Sequence, residues 1–282
     1  MKKNLFRAVW RVVNVALLAS LLALVYSAGW EHSVRDYLDG FGDAIIPLNA
    51  APEQRVEAIL QWMRKGPPRS TESNPTGLAV RDPETTLNYQ QLLSVCGTST
   101  NAFLNLARSA NLQVRRLLLL SSDRNTKHVV AEVLLDGRWI VVDPTFRMVM
   151  RNAKGEMLTR KELQNPQNFA EAIARAPGYP EAYNYAKFAH IRIARLPLDG
   201  LRLRPVLDNV FPGWDEKVDW SLLLERESFF ALATAAFATF LLLLLRLFLA
   251  WYADQRLRVS RFRLRSHLAR AGVAFFTTPE IK

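Results

Sequence analysis

The chain has 282 residues, half of them hydrophobic, with a formal net charge of +11 and one cysteine. That is enough apolar material for one good-sized core plus additional segments, and too few thiols for an internal disulfide. The basicity is not spread like a nucleic-acid surface. Residues 1–29 carry four basic and no acidic groups, and residues 228–282 carry eight basic and two acidic groups. Residues 30–227 carry 25 basic and 24 acidic groups, so the centre is nearly neutral. No phosphate-binding face is expected, and nucleic acid is excluded as a partner.

In chain order, Lys2, Lys3, Arg7 and Arg11 form a positive front to the run Val12 to Ala28, which is apolar except for Asn14, Ser20, Tyr26 and Ser27. A signal peptide with a weak cleavage site at Val25-Tyr26-Ser27 is the alternative. The long apolar run without an A-x-A site favours an uncleaved anchor over residues 1–29. Residues 30–52 read as a juxtamembrane linker. Pro52-Glu53 then opens a helix with Val56, Ile59, Leu60 and Met63 on one face, stopped by Gly66-Pro67-Pro68. Residues 66–83 have loop composition, and Asp82-Pro83-Glu84 has the form of a further helix start.

From Cys96 the pattern is helical, with Phe103, Leu104, Leu106 and Ala107 apolar and Asn111 at the stop. Val114 to Leu120 reads as a strand. His128 to Leu135 and Arg138 to Val142 are two more, joined by Asp136-Gly137, a strong hairpin signal. With a two-residue turn, Leu135 pairs with Arg138, which sets His128 opposite Thr145 and Asp143 opposite Val130. Side-chain alternation then puts His128, Val130, Trp139, Val141 and Asp143 on one face. His128 and Asp143 become diagonal neighbours, about 7–8 Å apart along the backbone and within reach of long side chains.

Beyond Thr145, residues 151–227 read as a mostly helical extension, with helices expected around 168–176 and 181–194 and a break at Pro177-Gly178-Tyr179-Pro180. Phe229 to Leu245 contains no charge, and the apolar run continues past Arg246 to Tyr252. About 24 helical residues span roughly 36 Å, enough to cross a bilayer. Residues 228–252 are therefore expected to be a transmembrane helix, with Arg246 snorkelling to the headgroups. Trp214 and Trp220 fit either an aromatic belt or a core. Residues 253–282 form a basic tail. Positive charge beside both spans predicts two cytoplasmic ends, an inner (cytoplasmic) membrane location and a periplasmic, extracytoplasmic centre. The lipid bilayer is the first expected partner.

Cys96, His128 and Asp143 have the residue types of a thiol triad. A thiol attacks only as thiolate, so it needs a base and a group that holds the base in the right tautomer. Cys96 lies at a helix start, where the dipole and free amides favour a thiolate and can bind an oxyanion. Gln90 and Gln91, just upstream, are candidate side-chain oxyanion donors; the surface reading applies to at least one of them. Singly, each triad member also has a bland reading: a small buried cysteine, a structural histidine, a turn aspartate. His32, His190, in a basic helical stretch, and His267 are weaker candidates. No spacing suits zinc or calcium and no phosphate loop is present, so neither metal nor cofactor is expected.

SVCGTSTNAFLNLARSANLQVRRL followed by HVVAEVLLDGRWIVVDPTF resembles the core of the transglutaminase-like superfamily, which shares the papain-type thiol fold. The resemblance covers residues 53–150, including the lead-in PEQRVEAILQWM. It implies an α+β fold: a helix bearing the cysteine, packed on an antiparallel sheet, between two transmembrane helices. It also implies Cys96 as nucleophile, His128 as general base and acid, and Asp143 as its orienting partner. Two departures stand out: Val129-Val130 replaces an aromatic often found after the histidine, and Leu92-Leu93 stands where an arginine often precedes the cysteine. The expectation is a membrane-anchored thiol enzyme acting on protein, peptide or peptidoglycan-linked amides by hydrolysis, deamidation or acyl transfer. The alternative is a non-catalytic binding or assembly domain in an envelope or polysaccharide system.

Overall fold

A computed structural model describes residues 2–71, 76–123, 125–190, 203–214 and 221–257. Trp220, His267, residues 191–194 of the second expected helix and all but the first few residues of the basic tail lie outside these. The chain divides into two compact units, one of Met1–Val25 with Ala235–Lys282 and one of Tyr26–Thr234.

In the first unit lie most of the two apolar stretches. They belong to helix α1, Lys2–Ile45, and to the helix Glu227–Tyr252. Both helices are long and apolar enough to cross a membrane. Large apolar side chains such as Val15, Leu22, Phe240 and Leu247 face outward, as expected for surfaces whose solvent is lipid. Arg246 donates from Nε to Asn14 Oδ1 at 2.8 Å and lies 5.4 Å over the Trp10 ring. A charged group inside an apolar pair is stabilised by such partners.

The second unit is an α+β fold built on a five-stranded antiparallel sheet of order β4-β3-β2-β1-β5. The strands are β1 (Val114–Leu120), β2 (Thr126–Leu135), β3 (Arg138–Asp143), β4 (Met148–Val149) and β5 (Phe188–Ala189). Asp136 and Gly137 both take positive φ, at 49° and 76°, giving the two-residue turn whose twist suits a hairpin. Leu135 pairs with Arg138 and Ala131 with Val142, the register expected from that turn.

Alternation sends Ala131, Val133, Leu135, Ile140 and Val142 to one face of the sheet. There they meet α2 (Pro52–Lys65), through Val56, Ile59, Leu60 and Met63, and α4 (Cys96–Ser109), through Phe103, Leu104 and Ala107, in a cluster that Leu87 of α3 (Pro83–Asn88) joins. Val130, Val141, Leu117 and Leu119 take the other face and meet Phe169 and Ala172 of α6 (Pro166–Ile173), with Tyr179 and Tyr185. Thus α2 and α4 cover one face, and the segment after residue 150 covers the other.

Two expectations are corrected. Residues 30–45 are not linker but the last third of α1. Leu38 is buried in the first core cluster, with Val34, Tyr37, Phe41 and Ile45 packed against it. Their helical spacing gives this stretch an apolar face that only a core can cover. Residues 181–190 are not helical but form turns and β5, which pairs with β1 through Leu118–Ala189 and Leu119–Phe188. The open edge of β1 requires hydrogen-bond partners, and this demand overrides local helical pattern. Accordingly, the described part of 151–227 holds its helices as short pieces: α5 (Arg160–Leu163), α6, α7 (Leu203–Val210) and Ser221–Glu225. Trp214 is buried, and its indole N–H donates to Asp208.

Buried ion pairs tie the ends of this unit together. Glu225, fully buried, meets Arg108 Nη1 at 2.6 Å and Arg116 Nε at 3.2 Å. Glu31, also buried, accepts from Arg226 at 3.1 Å and from Ser228 Oγ at 2.7 Å. Buried carboxylates of this kind are tolerated only when so paired.

Candidate functional site

The first turn of α4 carries Cys96, and three neighbouring hydroxyls fix that turn. Thr98 Oγ1 donates back to the Leu92 and Val95 carbonyls, closing the chain ahead of the cysteine. Thr100 Oγ1 donates to the Val129 carbonyl at 2.9 Å, pinning α4 beside β2 one residue past His128. Ser99 Oγ lies 3.0 Å from Thr145 Oγ1, two residues past Asp143. The polar run after Cys96 is therefore structural mortar between the helix and both strands.

His128 is paired with Leu119 of β1, next to the irregularity where the register shifts between Leu119 and Leu120. Its Nε2 lies 2.7 Å from Asp143 Oδ2, and both side chains are almost wholly buried. Asp143 ends β3 and also makes a turn. Its Oδ1 accepts from the Thr145 and Phe146 amides at 3.0 and 3.2 Å, across Pro144, which has no N–H to give. Its Oδ2 accepts a further bond, from the Tyr179 hydroxyl at 3.0 Å. The turn and histidine-partner readings of Asp143 are both realised.

With Nε2 taken by Asp143, Nδ1 is the ring nitrogen left to the thiol. Interaction with the His128 imidazole holds the Cys96 thiol below its ordinary pKa. Partial burial opposes the shift, and backbone hydrogen bonds from Val129 and Gly97 assist it. On His128, burial works against the charge, but the hydrogen bonds to Asp143 and Cys96 outweigh it and raise the imidazole to about 9. Both shifts favour one arrangement: thiolate beside imidazolium, with a carboxylate behind.

The structure thus brings Cys96, His128 and Asp143 together. Among the described residues, neither the Gln90 nor the Gln91 side chain hydrogen-bonds to any of the three. Gln90 is exposed, and Gln91 donates its amide to the Thr71 carbonyl at 2.8 Å. His190, expected in a helix, follows β5 and is buried. Its Nδ1 donates to the Arg116 carbonyl at 2.6 Å, and burial lowers its pKa, so it stays neutral. No group of His, Cys, Asp and Glu suited to a metal ion occurs among the described residues.

Residues 41–144 match the family model of the transglutaminase-like superfamily. The chain carries a transglutaminase-like domain. No curated protein and no solved structure matches it. The transglutaminase-like match begins within α1, in the stretch first read as linker, and ends one residue past Asp143.

Two residues near His128 lie beyond that match and were not singled out from the sequence as part of the site. Tyr179 supplies the hydroxyl on Asp143. Tyr183 stacks flat on the imidazole, with ring centroids 4.2 Å apart and planes 5° apart. The visible signal was the aromatic run Tyr179, Tyr183, Tyr185 directly after Pro177-Gly178. Read alone, it marked only a helix break.

Proposed function

We propose that the chain is a membrane-anchored, extracytoplasmic thiol enzyme that acts on amide or related carbonyl carbons. Cys96 is its nucleophile, His128 its proton carrier and Asp143 the orienting carboxylate. The observation that carries this reading is the buried 2.7 Å contact of His128 Nε2 with Asp143, which leaves Nδ1 for the Cys96 thiol, itself lowered in pKa by the same histidine. The Cys96 thiolate attacks the carbonyl carbon, and the carbonyl π electrons move to oxygen. The amide N–H groups at the start of α4 supply positive potential for that oxyanion. Collapse expels the amine, which takes the proton from His128 Nδ1 and leaves a thioester on Cys96. His128, now neutral, accepts a proton from the incoming water or amine, and the thiolate departs. Hydrolysis, deamidation and acyl transfer share this first half and differ in the second nucleophile. Envelope proteins, peptides and peptidoglycan-linked amides are the proposed substrates.

Both apolar helices support membrane anchoring. The basic residues beside each support cytoplasmic ends and an extracytoplasmic centre. The test is activity profiling of envelope extracts with the full-length protein and its Cys96→Ala variant, together with iodoacetamide labelling of Cys96 across pH. The expected result is product formation lost in the variant, and labelling already rapid near pH 6. Labelling that rises only around the ordinary thiol pKa of about 8.5 overturns the reading.

A further inference from the structure

We propose that Tyr183, outside the family match, is a positioning residue for His128: its ring, stacked face to face on the imidazole, fixes the ring's rotation and favours its charged form. The inference rests on the proposed pairing of Cys96 with His128, and it names the group that keeps that pair aligned.

A histidine serving two partners must hold its plane, because rotation about the Cβ–Cγ bond moves both nitrogens off their targets at once. Asp143 holds only one end. Tyr183 covers a flat face of the imidazole, with its plane 5° from parallel. Tyr179 and Phe146 stand edge-on to the ring, at 6.3 and 6.1 Å and at 89° and 69°. The imidazole therefore packs among three aromatic rings, one of them parallel to its plane and close enough to resist its tilting.

The tyrosine is itself held. Leu120 N donates to the Lys187 carbonyl at 2.9 Å, and Lys127 Nζ donates to the Ala182 carbonyl at 3.2 Å. Tyr183 N closes a turn on the Pro180 carbonyl at 3.0 Å. Tyr179 on one side of it is tied to Asp143, and Tyr185 on the other is fully buried. The segment carrying Tyr183 is thus fastened to β1, to β2 and to the site itself.

Stacking also bears on charge. An aromatic face attracts a cation, more strongly where water is excluded, and His128 is 2 % exposed. The groups facing His128 are the Cys96 thiol from α4, the Asp143 carboxylate from β3, and the rings of Tyr179 and Tyr183. Lys127, its sequence neighbour, directs its ammonium to Ala182. Tyr183 is the π face laid flat against the imidazolium.

The experiment measures iodoacetamide labelling of Cys96 against pH in the full-length, detergent-solubilised protein. Four versions are compared: wild type, Tyr183→Phe, Tyr183→Leu, and 3,4,5-trifluorophenylalanine placed at position 183. Leucine keeps cover but removes the π face. The fluorinated ring keeps the shape and withdraws charge from the face, so it is the arm least able to disturb folding. For both, the labelling midpoint is expected to rise by about 0.5–1 pH unit, because a weakened imidazolium is a poorer counter-ion for the thiolate. Tyr183→Phe is expected to restore the wild-type midpoint. A depressed wild-type midpoint that the fluorinated ring leaves unmoved overturns the role of Tyr183 alone. A wild-type midpoint near 8.5 overturns the thiol–imidazole pairing, and this proposal with it.

Discussion

Asp143→Asn is the most discriminating single change, because the surroundings of the carboxylate dictate which way the amide must face. Oδ1 accepts two main-chain N–H bonds, from Thr145 and Phe146, while Oδ2 meets His128 and Tyr179. If the asparagine oxygen takes the Oδ1 position, both main-chain bonds survive. Tyr179 can turn its hydroxyl to accept, and His128 Nε2 must become an acceptor. If the amide is reversed, its NH2 faces two N–H donors, and each unpaired group costs roughly 1–3 kcal/mol. The first orientation is favoured by about 2–6 kcal/mol, at least a tenfold preference. It forces the proton onto Nδ1, the nitrogen that should receive the proton of Cys96. An unassisted thiol of pKa about 8.5 is only about 0.3 % thiolate at pH 6. Labelling of Cys96 by iodoacetamide at that pH should therefore fall by up to about three hundredfold. Stability, followed by denaturant titration in detergent, should fall by only about 1.5–3 kcal/mol, the value of a charge-assisted hydrogen bond. An Asp143→Asn protein that still labels at the wild-type rate near pH 6 would refute the tautomer argument.

On the same mechanism, turnover should fall at high pH with a midpoint near 9. His128 is raised to about 9, and above that pH the imidazolium that protonates the leaving amine is lost; a pH–rate profile measures it. Glu225→Ala should cost about 3–5 kcal/mol in denaturant titration, because it strips a fully buried carboxylate from Arg108 and Arg116. Phe103→Ala should cost a similar 3–5 kcal/mol, since its side chain is wholly buried between α4 and the sheet. Gln91→Ala should leave the Cys96 labelling profile unchanged, because its amide is engaged with the Thr71 carbonyl.

The hairpin was legible because its information is local. Asp136-Gly137 permits one tight turn, the turn sets the register, and the register sets His128 and Asp143 on one face. The helix starting at Cys96 was legible for a similar reason, its apolar spacing. What escaped depends on distant partners. Residues 30–45 looked like a connection because their apolar positions are sparse beside the preceding span, yet Leu38 and Phe41 meet residues far along the chain. Residues 181–190 looked helical, but the unpaired edge of β1 claims them. Tyr179 and Tyr183 could not be assigned to the site until that segment was known to double back over His128. Gln91 was a reasonable donor by proximity in sequence, and a main-chain carbonyl had the prior claim.

The Glu31–Arg226 pair has a bearing on how the protein is made. These partners are separated by 195 positions. At synthesis rates of about 5–20 residues per second, the acid emerges on the order of 10–40 s before its guanidinium exists. Arg108 likewise precedes Glu225 by 117 positions. Until the ribosome passes residue 226, Glu31 has Arg35, four residues on, as its cationic partner, and the carboxylate that Arg108 and Arg116 share does not yet exist. Maturation of the domain therefore waits on the arrival of the segment that opens the second apolar helix, and a nascent chain arrested before it should stay open to protease.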